Sequence, residues 1–207
     1  MPIRNIVFDV GNVLVPWDPA GIEAEAFGHD QLAAEGFVPP LRGNPVWLAV
    51  NKGELSLEDA KAVYVDEQGF EAAEIDALWA AMFASFTLMR DTRLLMDQLK
   101  VAGYRLFAIT DNVQEVVAHL KITHDFWPLF EVAAVSADLG FLKPDPRIYQ
   151  WLLDTAQIPA HECVFLDDVQ HNVDGAKAVG MSVLVFTDAG QARRDLHALG
   201  IDIEPNS

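Results

Sequence analysis

Asp9, Thr110, Lys143 and the pair Asp167-Asp168 each follow a short apolar run. Asp9 stands in Val7-Phe8-Asp9-Val10-Gly11-Asn12-Val13, and Thr110 is followed by Asp111-Asn112. Lys143 lies in Gly140-Phe141-Leu142-Lys143-Pro144, and Asn172 comes soon after the acidic pair. Three carboxylates crowded together repel, and their pKa values rise unless a cation intervenes. A hard divalent ion with oxygen ligands removes the conflict, and Mg²⁺ is the ion expected. A carboxylate beside such an ion can approach phosphorus without being repelled by the phosphate. Lys143 would balance the charge of phosphate and nucleophile. Thr110, expected at a helix N-terminus, would offer hydroxyl and N–H donors to phosphate oxygens. The chemistry these residue types suit is phosphoryl transfer to a carboxylate, followed by hydrolysis.

Each residue alone has a plainer reading. An Asp after a strand is most often a turn or cap residue. A Lys before Pro is usually solvated, and an Asp pair can cap a helix. What favours chemistry is the order: four polar elements, each at the end of an apolar run. In open parallel sheets ligands bind beyond the carboxyl ends of the strands, where the strand order reverses.

Five runs read as buried strands: Ile3–Phe8, Arg105–Ile109, Val132–Val135, Cys163–Leu166 and Ser182–Phe186. They are near-continuously apolar, which suits strands covered on both faces. The last four alternate with helical segments, the rhythm of a parallel sheet. Asp91 is read as a helix cap with Gly103 closing that helix, Asp145-Pro146 as an N-cap and first-turn proline, and Gly180 as the end of a helix begun near Asn172. Between the first two strands lie only helical patterns: Ala20–Phe27, Val46–Val50, Leu57–Val65 and Ala72–Phe86. Ser56 and Asp59 suggest a capping box. The expected fold is α/β, a doubly wound (Rossmann-like) parallel sheet with an inserted helical cap. The core would comprise 1–15 and 89–207, and the cap 16–88.

With these residues in place, the chain resembles the haloacid dehalogenase-like (HAD) hydrolase superfamily over nearly its whole length. The first family motif is matched by Ile6-Val7-Phe8-Asp9 and the second by Ala108-Ile109-Thr110. The third is matched by Leu142-Lys143-Pro144-Asp145-Pro146-Arg147-Ile148-Tyr149, a form typical of members with a small helical cap, and the fourth by Val164-Phe165-Leu166-Asp167-Asp168. The Asp-x-Gly-Asn-Val form of the first motif is similar to the subgroup containing bacterial alpha-glucose-1-phosphate phosphatase. The resemblance implies a Mg²⁺-dependent phosphatase with Asp9 as nucleophile. It implies Asp9, the Gly11 carbonyl and Asp168 as metal ligands, with Asp167 a ligand or its partner. Thr110 and Lys143 would hold the phosphate, with Asn112 and Trp47 as further substrate contacts.

Two positions depart from the family pattern. Most family phosphatases carry a second Asp two residues after the nucleophile, as general acid and base; here it is Gly11. Asp18 and Asn12 are weak replacements. Leaving groups that need little protonation, such as sugar 1-phosphates and aryl phosphates, are therefore expected. The other departure is Asp111, where many relatives have Asn; an acid there should weaken anion binding unless it is paired.

Asp plus Glu number 31 against 14 Lys plus Arg, a net charge of −17. Such a chain repels nucleic acids and anionic membranes at long range. One cysteine, Cys163, rules out an intrachain disulfide and any multi-Cys zinc site. It is expected in the core. No apolar run approaches the roughly 20 residues of a membrane span, and no signal peptide is visible, so a cytoplasmic monomer or homodimer is expected. His171 reads as a loop residue near the site, Arg42 and Lys52 as possible shapers of substrate choice, and Trp79, Met82, Phe83 and Phe86 as packing. The expected substrate is a small phosphorylated metabolite, such as a sugar phosphate. The alternatives are a haloacid dehalogenase and a catalytically weak phosphate-binding module.

Overall fold

The computed structural model describes residues 2–203. Five strands, β1 (Asn5–Phe8), β2 (Arg105–Thr110), β3 (Ala133–Val135), β4 (Cys163–Asp167) and β5 (Ser182–Val185), form one sheet. Their order is β3-β2-β1-β4-β5, and every pairing is parallel. Side chains alternate between the two faces. Ile6, Phe8, Leu106, Val164 and Leu166 join one apolar cluster, while Val7, Phe107, Ile109 and Phe165 join another. Both faces are therefore apolar, which is why these runs do not alternate in sequence. The strand ends differ by one or two residues from the sequence reading, which extended β1, β3 and β5 too far and stopped β2 and β4 one residue early.

The helices are α1 (Pro19–Leu32), α2 (Pro45–Asn51), α3 (Leu57–Gln68), α4 (Ala72–Ser85), α5 (Arg90–Val101), α6 (Gln114–Thr123), α7 (Ser136–Leu139), α8 (Pro146–Ala156), α9 (Gln170–Ala178) and α10 (Ala189–Ala198). The first five lie between β1 and β2 with no strand among them, and the first four of these fall within 16–88. Helix α1 is broken at Gly28, whose φ of 75° lies in the left-handed region; this explains why the helical pattern read from sequence stopped at Phe27. The Ser56–Asp59 capping box forms in both directions. Asp145 caps α8 by accepting from the Arg147 N–H. Two terminal assignments are corrected. Asp91 lies in the first turn of α5 while Met89 is the cap, a place where a carboxylate still favours the helix dipole. Helix α9 begins at Gln170, so Asn172 sits inside it.

The insert is fixed by buried polar groups as well as by packing. Glu23 of α1 is fully buried. Its Oε1 accepts from the Leu41 and Arg42 N–H groups at 2.9 and 3.1 Å, and its Oε2 from Arg42 Nε at 2.6 Å. That clamp sets the loop leading to Asn44, which caps α2 through the Val46 N–H. Helix α2 carries Trp47 and Leu48 toward the carboxyl edge of the sheet. Among the described residues no single helix is long and apolar enough to cross a membrane.

Candidate active site

The switch in strand order places β1 beside β4. Phe8 pairs with Leu166, and the Asp9 N–H donates to the Leu166 carbonyl at 2.9 Å. The residues after these two strands therefore emerge side by side, which juxtaposes Asp9 with Asp167 and Asp168. Lys143 reaches them from the loop between α7 and α8. Its Nζ lies 2.8 Å from Asp9 Oδ1 and 2.7 Å from Asp167 Oδ2. All three groups are buried. Asp167 Oδ1 also accepts from the Val169 N–H at 2.8 Å, and both Asp167 oxygens lie 3.1 Å from Asn172 Nδ2. Asp9 Oδ1 takes the Val10 N–H at 2.7 Å. Asp9 Oδ2 has no such partner among the described residues.

The charges are unevenly compensated. Burial pushes the Asp9 carboxyl well above the usual carboxylate range; Lys143 pulls it down and Asp167 pushes it up again. Burial also opposes the Lys143 charge, but Asp9, Asp167 and Asp111 overcome it and hold the ammonium above the usual lysine range. One lysine thus serves several acids, and the cluster is short of positive charge. One oxygen from each of Asp9, Asp167 and Asp168 lies within 4.8 Å of the others. The turn after β1 leaves a further oxygen. The Asn12 N–H bonds Val15 O and the Val15 N–H bonds Val10 O, so the Gly11 carbonyl stays outside both bonds. Oxygen-only donors, excess negative charge and an unpartnered Asp9 oxygen suit a hard divalent cation.

A cavity of about 510 Å³ opens over this cluster. Asp9, Gly11, Lys143 and Asp168 line its floor, together with Asn112; Trp47 lines its wall. Asp167 is fully buried beneath the floor. Thr110 is not at a helix N-terminus as the sequence reading expected. It is the last residue of β2, 1% exposed and absent from the lining, and α6 starts only at Gln114. The intervening Asp111 and Asn112 delay the helix: the Asn112 side chain accepts the Val113 N–H, and the Asn112 N–H donates to Ser136 Oγ. Asp111 is paired after all, its Oδ1 accepting the Lys143 N–H at 2.9 Å. Burial raises its pKa and Lys143 lowers it, with a net rise.

Neither substitute for an acid at Gly11 survives. Asp18 is exposed and caps α1. Asn12 is fully committed: its Nδ2 donates to Asp168 Oδ2 at 2.9 Å and its Oδ1 accepts the Trp17 N–H at 2.8 Å. Its φ of 54° is a left-handed conformation that Asn tolerates. His171 is exposed on α9, and neither Arg42 nor Lys52 lines the cavity. Sequence reasoning missed Trp17, Leu41, Leu48 and Val116 as lining residues, and took Phe86 for packing alone. The one available signal was Pro16-Trp17-Asp18, an aromatic placed just beyond the first acidic motif.

A family model described as haloacid dehalogenase-like hydrolase matches residues 3–180. The sesquiterpene phosphatase of Aspergillus oryzae is 29% identical over 190 residues, covering 90% of this chain and 91% of that protein. Mouse acyl-CoA dehydrogenase family member 10 is 26% identical over 212 residues, but the chain spans only 19% of its length. A HAD-family enzyme of Bacteroides thetaiotaomicron, solved with magnesium and inorganic phosphate, superposes with a TM-score of 0.73 at 17% identity, over 90% of this chain and 95% of that one. The match to the family model takes in β1, β2, β3, β4 and every acidic residue of the cluster, and the chain belongs to the haloacid dehalogenase-like hydrolases.

Proposed function

We propose that the protein is a Mg²⁺-dependent phosphatase of small phosphate monoesters, acting through an aspartyl-phosphate on Asp9. The observation carrying this reading is the Lys143 ammonium, 2.8 Å from Asp9 and 2.7 Å from Asp167, at adjacent strand ends. Asp9 Oδ2 attacks phosphorus while the bond from phosphorus to the ester oxygen breaks, and the leaving oxygen takes the electron pair. Water then cleaves the acyl phosphate, returning the Asp9 carboxylate and releasing inorganic phosphate. Asp9, Asp168 and the Gly11 carbonyl would hold Mg²⁺, with Asp167 tying the group to Lys143. Bound there, the ion would offset the negative charge of the phosphate and the carboxylates. Lys143 lowers the Asp9 pKa against the effect of burial and faces the phosphate with positive charge. Two names among the comparisons support the reaction class, a sesquiterpene phosphatase and a magnesium- and phosphate-bound enzyme.

With Gly11 in place of an acid and Asn12 committed, nothing beside Asp9 donates a proton to the leaving oxygen. The reaction step alone therefore favours leaving groups that need little protonation, a class that holds both aryl phosphates and sugar 1-phosphates and does not choose between them. Residues 16–88 would act as the cap that covers the reaction. The test is chemical trapping. Protein turning over a phosphate monoester with Mg²⁺ is quenched and reduced with borohydride, which converts an aspartyl-phosphate to homoserine. Homoserine at position 9, absent when a chelator is present, is the expected result. Turnover without that conversion excludes the intermediate.

A further inference from the structure

We infer that the organic part of the substrate is apolar and free of hydroxyls, an aryl or hydrocarbon group and not a sugar. This rests on the phosphatase reading and concerns the far wall of the same cavity. That wall is aromatic. Trp47 stacks on Trp17 with ring centroids 5.7 Å apart and planes 16° apart, and Trp17 stacks on Phe86 at 6.4 Å and 15°. Leu48 adds a side chain that remains 47% exposed although it is large and apolar. Leu41 and Val116 complete the surface. Exposed apolar area gains most from an apolar ligand, and near-parallel rings favour a flat one.

Of the two amides on that wall, Asn44 is fully engaged and Asn51 in part. Asn44 donates to Pro39 O and to Gln68 Oε1, and accepts the Val46 N–H. Asn51 Nδ2 donates to Trp47 O. A sugar ring would lose water from several hydroxyls and regain on this wall little beyond the open part of the Asn51 amide, which is unfavourable. Among the described residues Lys143 is the only Lys or Arg lining the cavity, and it sits in the floor. Of the cations flanking α2, Arg42 is bonded to Glu23, and Lys52, which follows the helix, is not part of the lining. No second cation therefore faces a carboxylate or another phosphate on the ligand. A volume of about 510 Å³ is within the range of small-molecule sites.

Two measurements with purified full-length protein and Mg²⁺ test this. The first is binding of 1-naphthylphosphonate, which cannot be hydrolysed, followed by tryptophan fluorescence against inorganic phosphate as the reference. The phosphonate should bind at least about tenfold tighter than phosphate, and Trp47→Ala should remove most of that advantage while Trp47→Phe keeps part of it. Equal affinity for the two anions overturns the inference. The second compares kcat/KM for 1-naphthyl phosphate, a branched ten-carbon alkenyl phosphate and glucose 1-phosphate. Both apolar esters should exceed the sugar ester, by about tenfold or more, and Trp47→Ala should compress the ratio. The naphthyl and alkenyl arms separate a flat group from a flexible chain. A sugar ester that is hydrolysed best sinks the idea. If no ester is hydrolysed, the reaction reading fails while the phosphonate experiment still decides the wall.

Discussion

The floor and the wall of the cavity are built on opposite principles. The floor gathers three acids and one lysine at the ends of buried strands, where each charge depends on its partners. The wall is made of tryptophans, a phenylalanine and leucines from the insert and the loops, where each side chain contributes area and shape. In the floor one oxygen out of place leaves a buried charge unpaired. In the wall one ring can be exchanged for another at modest cost. Reaction chemistry should therefore be brittle and substrate choice adjustable.

The sharpest way to break this contrast is Asp9→Asn, which keeps the shape of the side chain and removes the nucleophile. Turnover should fall by at least about 1,000-fold with the thermal midpoint little changed. A variant that hydrolyses the best ester at the parental rate would put the chemistry elsewhere. Lys143→Met comes next. It leaves Asp9 and Asp167 buried without their shared cation, and removal of one partner from such a cluster costs about 3–5 kcal/mol. Urea unfolding without Mg²⁺ measures it. The sign of its pH dependence is fixed. Burial already holds Asp9 above its unfolded pKa, and without Lys143 only the Val10 N–H opposes that rise. The folded variant then binds a proton more tightly than the unfolded chain, so the deficit shrinks toward acid pH and grows as pH rises. A deficit that grew toward acid pH would show that Lys143 does not lower the Asp9 pKa.

Floor and wall meet at a seam where a smaller effect is expected. Ser136 Oγ donates to Asn51 O at 2.7 Å and accepts the Asn112 N–H at 2.9 Å, joining α2 to the loop after β2. Next to it Gly53 has a φ of 70°, and a Cβ there would lie 2.0 Å from the Ala137 carbonyl oxygen. Gly53→Ala must push the insert away from the sheet. A loss of about 1–3 kcal/mol is expected by denaturant unfolding, with a raised KM. An unchanged KM would mean that the seam does not set the distance between wall and floor.

The same contrast governs what could be read from the sequence. Asp9, Lys143, Asp167 and Asp168 were legible because a charged residue at the end of an apolar run has few structural uses. The parallel sheet was legible because strands covered on both faces leave continuous apolar runs. Trp17, Leu48 and Phe86 were not, since a hydrophobic residue facing a cavity has the same composition signal as one facing the core. The helix after Thr110 starts later than the sequence reading placed it, for a local reason. The backbone after β2 is held by Asn112 and Ser136 contacts, and Ser136 lies too far along the chain for spacing to reveal.

The smallest expected effect belongs to Cys163, at the opposite end of β4 from Asp167. One strand thus carries packing at its amino end and chemistry at its carboxyl end. Cys163 is fully buried, and its Sγ lies 3.3 Å from the Pro159 carbonyl. Burial pushes the thiol up to about 12, only partly offset by a hydrogen bond from Asn5. At pH 8 the thiolate fraction is then roughly one in ten thousand, and the thiolate is the reactive form. Native protein should therefore resist a thiol-reactive dye for hours at full activity, whereas denatured protein should take up one dye per chain. Rapid labelling of the native protein would mean that β4 opens at its amino end. Loss of activity on labelling would then couple that end to Asp167, and the two ends of the strand could no longer be treated as independent.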